Sequence, residues 1–316
     1  MARQAILLDI FPRLAIVHTS KDETGQVYVP QVNIFLAFGT LLLVIVFQSS
    51  DGLAAAFGMA IILVMLIVAL LVLCVAKTIW KWSYIKMAFV FFPLLLIDLI
   101  FLGANIPKIY EGAWIPLIFA SFISIIMITW QRGMDLIRNF VYKNKVPLTK
   151  IIKELDLSKL TCIEDLTVVF VTDPYDNSGG SFLSYVKLNH IMPKNTLVVS
   201  VIVEDSPYII EKKRYKLEEL MEGYYNLTIH YGFMQSINIP RSLVTGVKNK
   251  IFPFKFEVDK ATFLVQIIHM TACKKRYPRL FNWQKRLFGF LLRNSVFDIE
   301  FYHLPQNQTI SIGSYL

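Results

Sequence analysis

Asp98 sits in the run Leu94-Leu95-Leu96-Ile97-Asp98-Leu99-Ile100-Phe101-Leu102, an ionisable carboxyl embedded in hydrocarbon. Such a group at the centre of a membrane-spanning helix costs at least about 2.5 kcal/mol, so by default it marks an ion pathway or a proton relay. The competing reading is a structural hydrogen bond to a neighbouring helix. Asn33, near the start of an apolar run, poses the same choice between a ligand and interhelical polar glue worth about 0.6 kcal/mol. A second chemistry is suggested by Asp173-Pro174-Tyr175-Asp176-Asn177-Ser178-Gly179-Gly180-Ser181. Backbone amides at a helix N-terminus cradle phosphate, and adjacent glycines allow close approach. Ser178, Gly179, Gly180 and Ser181 are therefore candidates for a phosphate or nucleotide loop. No Gly-Lys-Ser/Thr follows, so this is no Walker motif, and a plain turn capped by Ser178 or Ser181 is the alternative.

The other chemistry-bearing residues do not converge. His18, His190, His230, His269 and His303 show no i, i+3 or i, i+4 pairing. Cys74, Cys162 and Cys273 form neither a CxxC pair nor a metal-ligand spacing, so no metal site and no disulfide framework is expected. No Ser-His-Asp, paired-carboxylate or Gly-rich dinucleotide signature occurs, and the expectation is a protein that is not an enzyme and carries no cofactor. Lys274-Lys275-Arg276 with Lys285-Arg286 forms a basic cluster that suits anionic lipid heads or an acidic partner, or else a solvated face.

The elements that must position these residues are dominated by hydrocarbon. The chain has 316 residues, 55% of them hydrophobic and only 17% charged. Soluble domains average about 25% charged residues. Four apolar stretches, about 29–47, 53–76, 87–102 and 113–130, each reach or approach the roughly 20 residues needed to cross a bilayer as a helix. Helix is the geometry that satisfies every backbone polar group inside lipid without a partner strand. Pro30 suits a first helical turn, and Ser49-Ser50-Asp51-Gly52 reads as a tight turn between the first two spans. No cleavable signal peptide is visible, because Pro12 and Arg13 interrupt any apolar run after Met1.

Charge orients the spans. Arg3, Arg13 and Lys21 precede the first, Lys77, Lys81 and Lys86 separate the second and third, and Arg132, Arg138, Lys143 and Lys145 follow the fourth. The two opposite loops hold only Lys108. This bias places both termini in the cytoplasm, with Trp80, Trp82, Trp114 and Trp130 as an interfacial belt. It also accounts for much of the net charge of +9, so nucleic acid is not an expected partner.

After a linker over 132–160, the pattern changes to that of an α/β domain over 161–316. Leu166–Thr172 (LTVVFVT) and Asn195–Val203 (NTLVVSVIV) are β-branched runs of the kind buried in parallel sheets. Residues 181–190 between them are long enough for a crossover helix. Tyr225–Tyr231 reads as a further strand and Leu287–Arg293 as a helix. The expected fold is an α-helical membrane domain of four transmembrane helices followed by a cytoplasmic α/β domain, with residues 1–28 as a cytoplasmic N-terminal segment and 29–131 as the membrane domain.

These residues together resemble the KUP (KUP/HAK/KT) potassium-uptake transporters. His18-Thr19-Ser20 and Gly25-Gln26-Val27-Tyr28-Val29-Pro30-Gln31-Val32-Asn33 are similar to that family's "IVHTSE…GQIYIPxVNW". Leu53 to Gly58 resembles "NLAAAYGIA", Gly112 to Leu117 resembles "GGWFPL", and Trp130 to Gly133 matches "TWxxG". In the soluble part, Val203 to Tyr208 resembles "xxEDxPYV", Tyr231 to Met234 resembles "YGFxE", and Leu292-Arg293-Asn294 through Leu304-Pro305 follows the family's ending.

The resemblance implies the closing part of a twelve-helix transporter, whose preceding half is absent from this chain. It implies inward potassium transport with protons across the bacterial plasma membrane, a missing N-terminal half as partner, and a homodimer through the cytoplasmic domain. Most family residues proposed to hold the ion belong to the absent half, near discontinuous helices. One departure stands out. Where the family reads "AAAYGIAVTGTM", this chain has Phe57, Ile62 and Val64 in place of a tyrosine and two threonine hydroxyls. Hydrocarbon cannot ligate a dehydrated cation, unless that helix faces lipid and the changes are packing swaps. The alternative function is a transport-incompetent fragment or a membrane-anchored regulatory or assembly subunit.

Overall fold

The computed structural model describes residues 2–18, 27–48, 50–138, 150, 161–174, 176, 182–269, 281–296 and 298–315. Most of the expected linker, the loop residues Ser178, Gly179, Gly180 and Ser181, Cys273 and Lys274-Lys275-Arg276 lie outside the described residues. The chain divides into two compact units, residues 32–126 and residues 1–31 with 127–316.

A short helix α1 (Ala2–Leu7) and a two-residue antiparallel pairing of β1 (Val17–His18) with β2 (Val27–Tyr28) precede four long helices. These are α2 (Pro30–Phe47), α3 (Ser50–Thr78), α4 (Tyr84–Asn105) and α5 (Trp114–Leu136), all long and apolar enough to cross a membrane. Two boundaries differ from the sequence reading. The turn expected over 49–52 is already helical from Ser50, which puts the Asp51 carboxylate in the first turn of α3, where the helix dipole favours it. The reversal falls instead at Gln48, with φ 47°. The fourth helix runs on to Leu136, inside the expected linker, and Ile137 and Arg138 continue it as a wider π-type turn. That extension has left the apolar run, and protein packing holds it in place. Between the long helices, Val72, Leu73 and Ala76 of α3 meet Met87, Phe91 and Leu95 of α4.

The soluble part is a six-stranded sheet. Its elements are β3 (Thr161–Thr172), α6 (Phe182–Asn189), β4 (Ile191–Glu204), β5 (Tyr215–Met221), β6 (Tyr224–Gly232), α7 (Ile239–Lys248), β7 (Thr262–His269), α8 (Asn282–Arg293) and β8 (Thr309–Tyr315). The strand order is β5-β6-β4-β3-β7-β8. All pairings are parallel except the β5–β6 edge. Residues alternate between two buried faces, as the pleat requires. Val169, Val171, Leu197, Val199, Leu227, Ile229, Phe263 and Val265 share one core with Ile239 and Leu243 of α7, Phe256 and, from the other end of the chain, Leu7. Val168, Phe170, Val198 and Leu264 face the other way, onto Phe182 and Val186 of α6. Burial on both faces is why these strands read as unbroken apolar runs.

The chain enters the sheet at its centre, steps to β4, reaches the edge as β5, doubles back as β6 beside β4, and returns on the far side of β3 as β7. The segment after β3 therefore leaves the sheet where strand order reverses, the place where open α/β sheets bind ligands.

Candidate functional site

In the membrane helices, chemistry is confined to very few atoms. Asp98 is 9% exposed on α4, on the same helical stripe as Phe91 and Leu95, which pack against α3. Among the described residues, no hydrogen bond or ion pair to its carboxyl is found. Nothing there shows the interhelical partner that a structural role requires. Four hydroxyl and amide groups of the span residues turn back on their own helices, whereas the buried Thr129 hydroxyl makes no hydrogen bond among the described residues. Thr40 donates to the Leu36 carbonyl at 2.8 Å, Thr78 to Cys74 at 2.8 Å, Ser121 to Leu117 at 2.7 Å and Asn105 to Phe101 at 2.9 Å. Asn33 is exposed on α2. Phe57 and Val64, seven residues apart on α3, are 66% and 60% exposed, while Ile62 is half-buried. The three positions that lack hydroxyls thus do not share one face.

In the soluble part, two of the family-like motifs form one structure. The backbone amides of Phe233 and Met234 donate to the carbonyls of Ser206 and Pro207, each at 3.1 Å. A Cβ on Gly232 would fall 2.2 Å from the Pro207 carbonyl oxygen, so only glycine permits this approach. The Gln235 side chain bridges both segments, accepting from the Gly232 amide at 2.8 Å and the Ile209 amide at 3.4 Å. Nearby, His230 Nδ1 lies 2.7 Å from Glu204 Oε1. The Tyr231 hydroxyl donates to the Asn238 carbonyl at 3.0 Å and is 2.6 Å from the Ser242 hydroxyl. Burial raises the Tyr231 pKa, and the hydrogen bonds from Ser242 and Asn238 oppose that rise. His190 and His303 occupy left-handed turn positions, φ 53° and 55°, which is a backbone role.

The most connected site was not legible in the sequence. It gathers the N-terminal segment, the C-terminal end of α5 and the sheet domain. Asp9 accepts from the Trp130 indole at 3.3 Å through Oδ1 and pairs with the Arg138 guanidinium through Oδ2. Arg3 donates to the Met234 carbonyl at 3.1 Å, and burial lowers its pKa below the ordinary arginine value. The Arg13 guanidinium lies 4.8 Å from the Phe301 ring centre, and its carbonyl accepts from the Val296 amide at 2.8 Å. On another side of α5, a Cβ on Gly133 would lie 2.2 Å from the Phe288 ring of α8. Phe288 also stacks at a tilt on Trp130, with ring centres 5.6 Å apart. The "TWxxG" match thus has a packing cause: tryptophan supplies the platform and glycine the gap.

A cavity of about 270 Å³ opens beside this joint, lined by Asp9, Arg13, Arg138, Asp173, Val203 and Tyr302 among others. It lies at the carboxyl ends of β3 and β4, and its charges are of both signs. No spacing rule connects Asp9 to Arg138 across the four spans. The only sequence signal is that charged residues flank the first and last spans.

Comparison with known proteins completes the picture. The K+ potassium transporter integral membrane domain matches residues 1–135, and the K+ potassium transporter C-terminal domain matches residues 166–316. Probable potassium transport system protein Kup 1 of Legionella pneumophila (strain Paris) is 45% identical over 317 residues, covering 100% of this chain and 51% of that protein. Kup 2 of Legionella pneumophila (strain Lens) is 39% identical over 313 residues, covering 99% of this chain and 50% of that protein. The chain spans about half the length of the curated relatives it matches. With both family domains in order and a collinear match along the whole chain, it belongs to the KUP family of potassium transporters.

Proposed function

We propose that this chain works as the C-terminal half of a KUP-type uptake system, carrying potassium inward together with protons across the bacterial cytoplasmic membrane. The carrying observation is the collinear 45% identity, over all of this chain, to half of a protein named as a potassium transport system. In this reading α2 to α5 are supporting helices, and the ion's oxygen ligands come from the other half of the system. Asp98 is the candidate for proton or ion handling within this half. No cofactor enters the reading, and a homodimer through the sheet domain is its expected assembly. The orientation, with both termini cytoplasmic, is supported by the Lys/Arg bias. It is consistent with residues 1–31 and 127–316 belonging to one compact unit.

The test is rubidium uptake and growth at low potassium in a cell lacking potassium uptake. Expressed alone, the chain is expected to restore neither. Expressed with a separate polypeptide carrying the first half of a relative, it is expected to restore both. A second reading, a membrane-anchored regulatory or assembly subunit, is favoured by the self-bonded hydroxyls of the spans. Failure of the two-polypeptide arm, with both chains present in the membrane, would favour that second reading. Growth with this chain alone would refute both.

A further inference from the structure

The helix α8 carries a surface that the sheet domain does not use. Its inner face is fixed: Phe288 is fully buried against Gly133 and Trp130, and Leu291 and Leu292 pack into the cluster with Met134 and Ile137. This attaches α8 to the last turns of α5, a helix apolar and long enough to cross a membrane. The level of α8 is thereby set at the end of a span. Its opposite face presents Trp283, Arg286, Phe290 and Arg293 at spacings of three, four and three residues, a single helical stripe. Trp283 is 51% exposed and Phe290 56%, and Phe281, at the N-cap, is 67% exposed. These three are the exposed phenylalanine and tryptophan side chains among the described residues of 161–316. Among the described residues, no carboxylate pairs with Lys285, Arg286 or Arg293.

Aromatic side chains interleaved with arginines, on a helix held at the end of a span, match the composition of helices that lie in the headgroup region. Tryptophan prefers that depth because its ring is apolar and its N–H is not. Unpaired guanidinium groups there add attraction to anionic headgroups of about 1 kcal/mol each, roughly fivefold per charge.

We infer that α8 is an interfacial helix that seats the Trp283–Arg286–Phe290–Arg293 stripe on anionic phospholipid beside the last span. The occupant is lipid because the stripe is cationic and aromatic and is carried by a helix packed on the last turns of α5, a span candidate. A protein-protein patch of this kind would need a complementary acidic surface.

The test uses the full chain in lipid nanodiscs, of phosphatidylcholine alone or mixed with phosphatidylglycerol, with an environment-sensitive fluorophore on Phe290→Cys in a background free of other cysteines. With phosphatidylglycerol the emission is expected to shift blue and to be quenched by nitroxide lipids labelled at headgroup depth. Arg286→Gln and Arg293→Gln are each expected to lower the docked-to-undocked ratio about fivefold. The intrinsic emission difference between the unlabelled chain and Trp283→Phe should follow the same lipid dependence, which controls for effects of the label. Absence of nitroxide quenching, or quenching indifferent to phosphatidylglycerol and to both arginines, would overturn the inference. So would self-quenching that appears only with two labelled copies per disc, which would assign the stripe to a second chain.

Discussion

The sheet domain and the long helices dispose of their apolar side chains in opposite ways. In the sheet, Val168, Val169, Phe170, Leu197, Leu227, Phe263 and Leu264 are all at zero exposure, enclosed by helices of the same chain. On α2 no residue is buried, and on α3 burial is limited to Ala55, Ala56, Met59 and Ala76. Phe89 is 84% exposed and Ile45 68%. The sheet thus carries its own solvent-excluded core. The helices present theirs outward, as helices surrounded by lipid do.

The contrast can be broken by truncating side chains. Phe170→Ala empties a fully buried site and should cost about 3–5 kcal/mol, read as a lowered denaturation midpoint of the sheet in the purified full chain. Next in size is the joint between the regions. Gly133→Val drives a side chain into the Phe288 ring and should cost about 1–3 kcal/mol. Faster proteolysis of α8 would report it, and Phe288→Ala in the same chain should restore part of the loss. Asp9→Asn removes the charge, and the oxygen that Arg138 bonds, from a pair about a quarter exposed, while leaving an amide oxygen to accept from Trp130. Screening limits its effect to about 1 kcal/mol. Hydrogen exchange should quicken at the amides of Leu8 to Phe11, which bond back to α1.

A smaller effect concerns pH. Burial raises the pKa values of Tyr215, Tyr225 and Tyr231 above 10.0, so the folded sheet favours their neutral forms. A group raised in the folded state contributes stability that is complete below its unfolded pKa and lost as pH climbs through the folded one. The unfolding midpoint should therefore hold up to about pH 10 and fall above it. Tyr231→Phe should shallow that alkaline decline, and a tyrosinate absorbance titration should show one fewer late-titrating group. The smallest effect sharpens the comparison most. Phe89→Ala should move stability by less than about 0.5 kcal/mol, because its ring is almost wholly exposed. A loss there as large as that of Phe170→Ala would mean that the helices, too, form a self-contained core.

What could be read from the sequence follows the same division. Unbroken apolar runs announced α2 to α5 and the central strands β3 and β4, because a lipid-facing helix and a strand buried on both faces each leave little room for polar residues, while alternation announced β6. The edge strand β5, Tyr-Lys-Leu-Glu-Glu-Leu-Met, escaped notice because its charged residues face solvent and imitate a loop. Strand β8 hides behind Gly313, and α7 begins at Ile239-Pro240 and is only ten residues long. The Asp9–Arg138 and Gly133–Phe288 pairs were illegible for a different reason. Each joins residues far apart in the chain, and no periodicity within one element encodes such a meeting.

The strand order has a consequence for synthesis on the ribosome. Because β3 is central and β7 occupies the place beside it, one flank of β3 stays open from the emergence of Thr172 until Thr262 has followed. During that interval a nascent, strongly apolar strand edge is available to any other extended chain. Slow decoding in this stretch should lengthen the exposure, and the yield of folded, unaggregated product should depend on translation speed there more than in the first hundred codons.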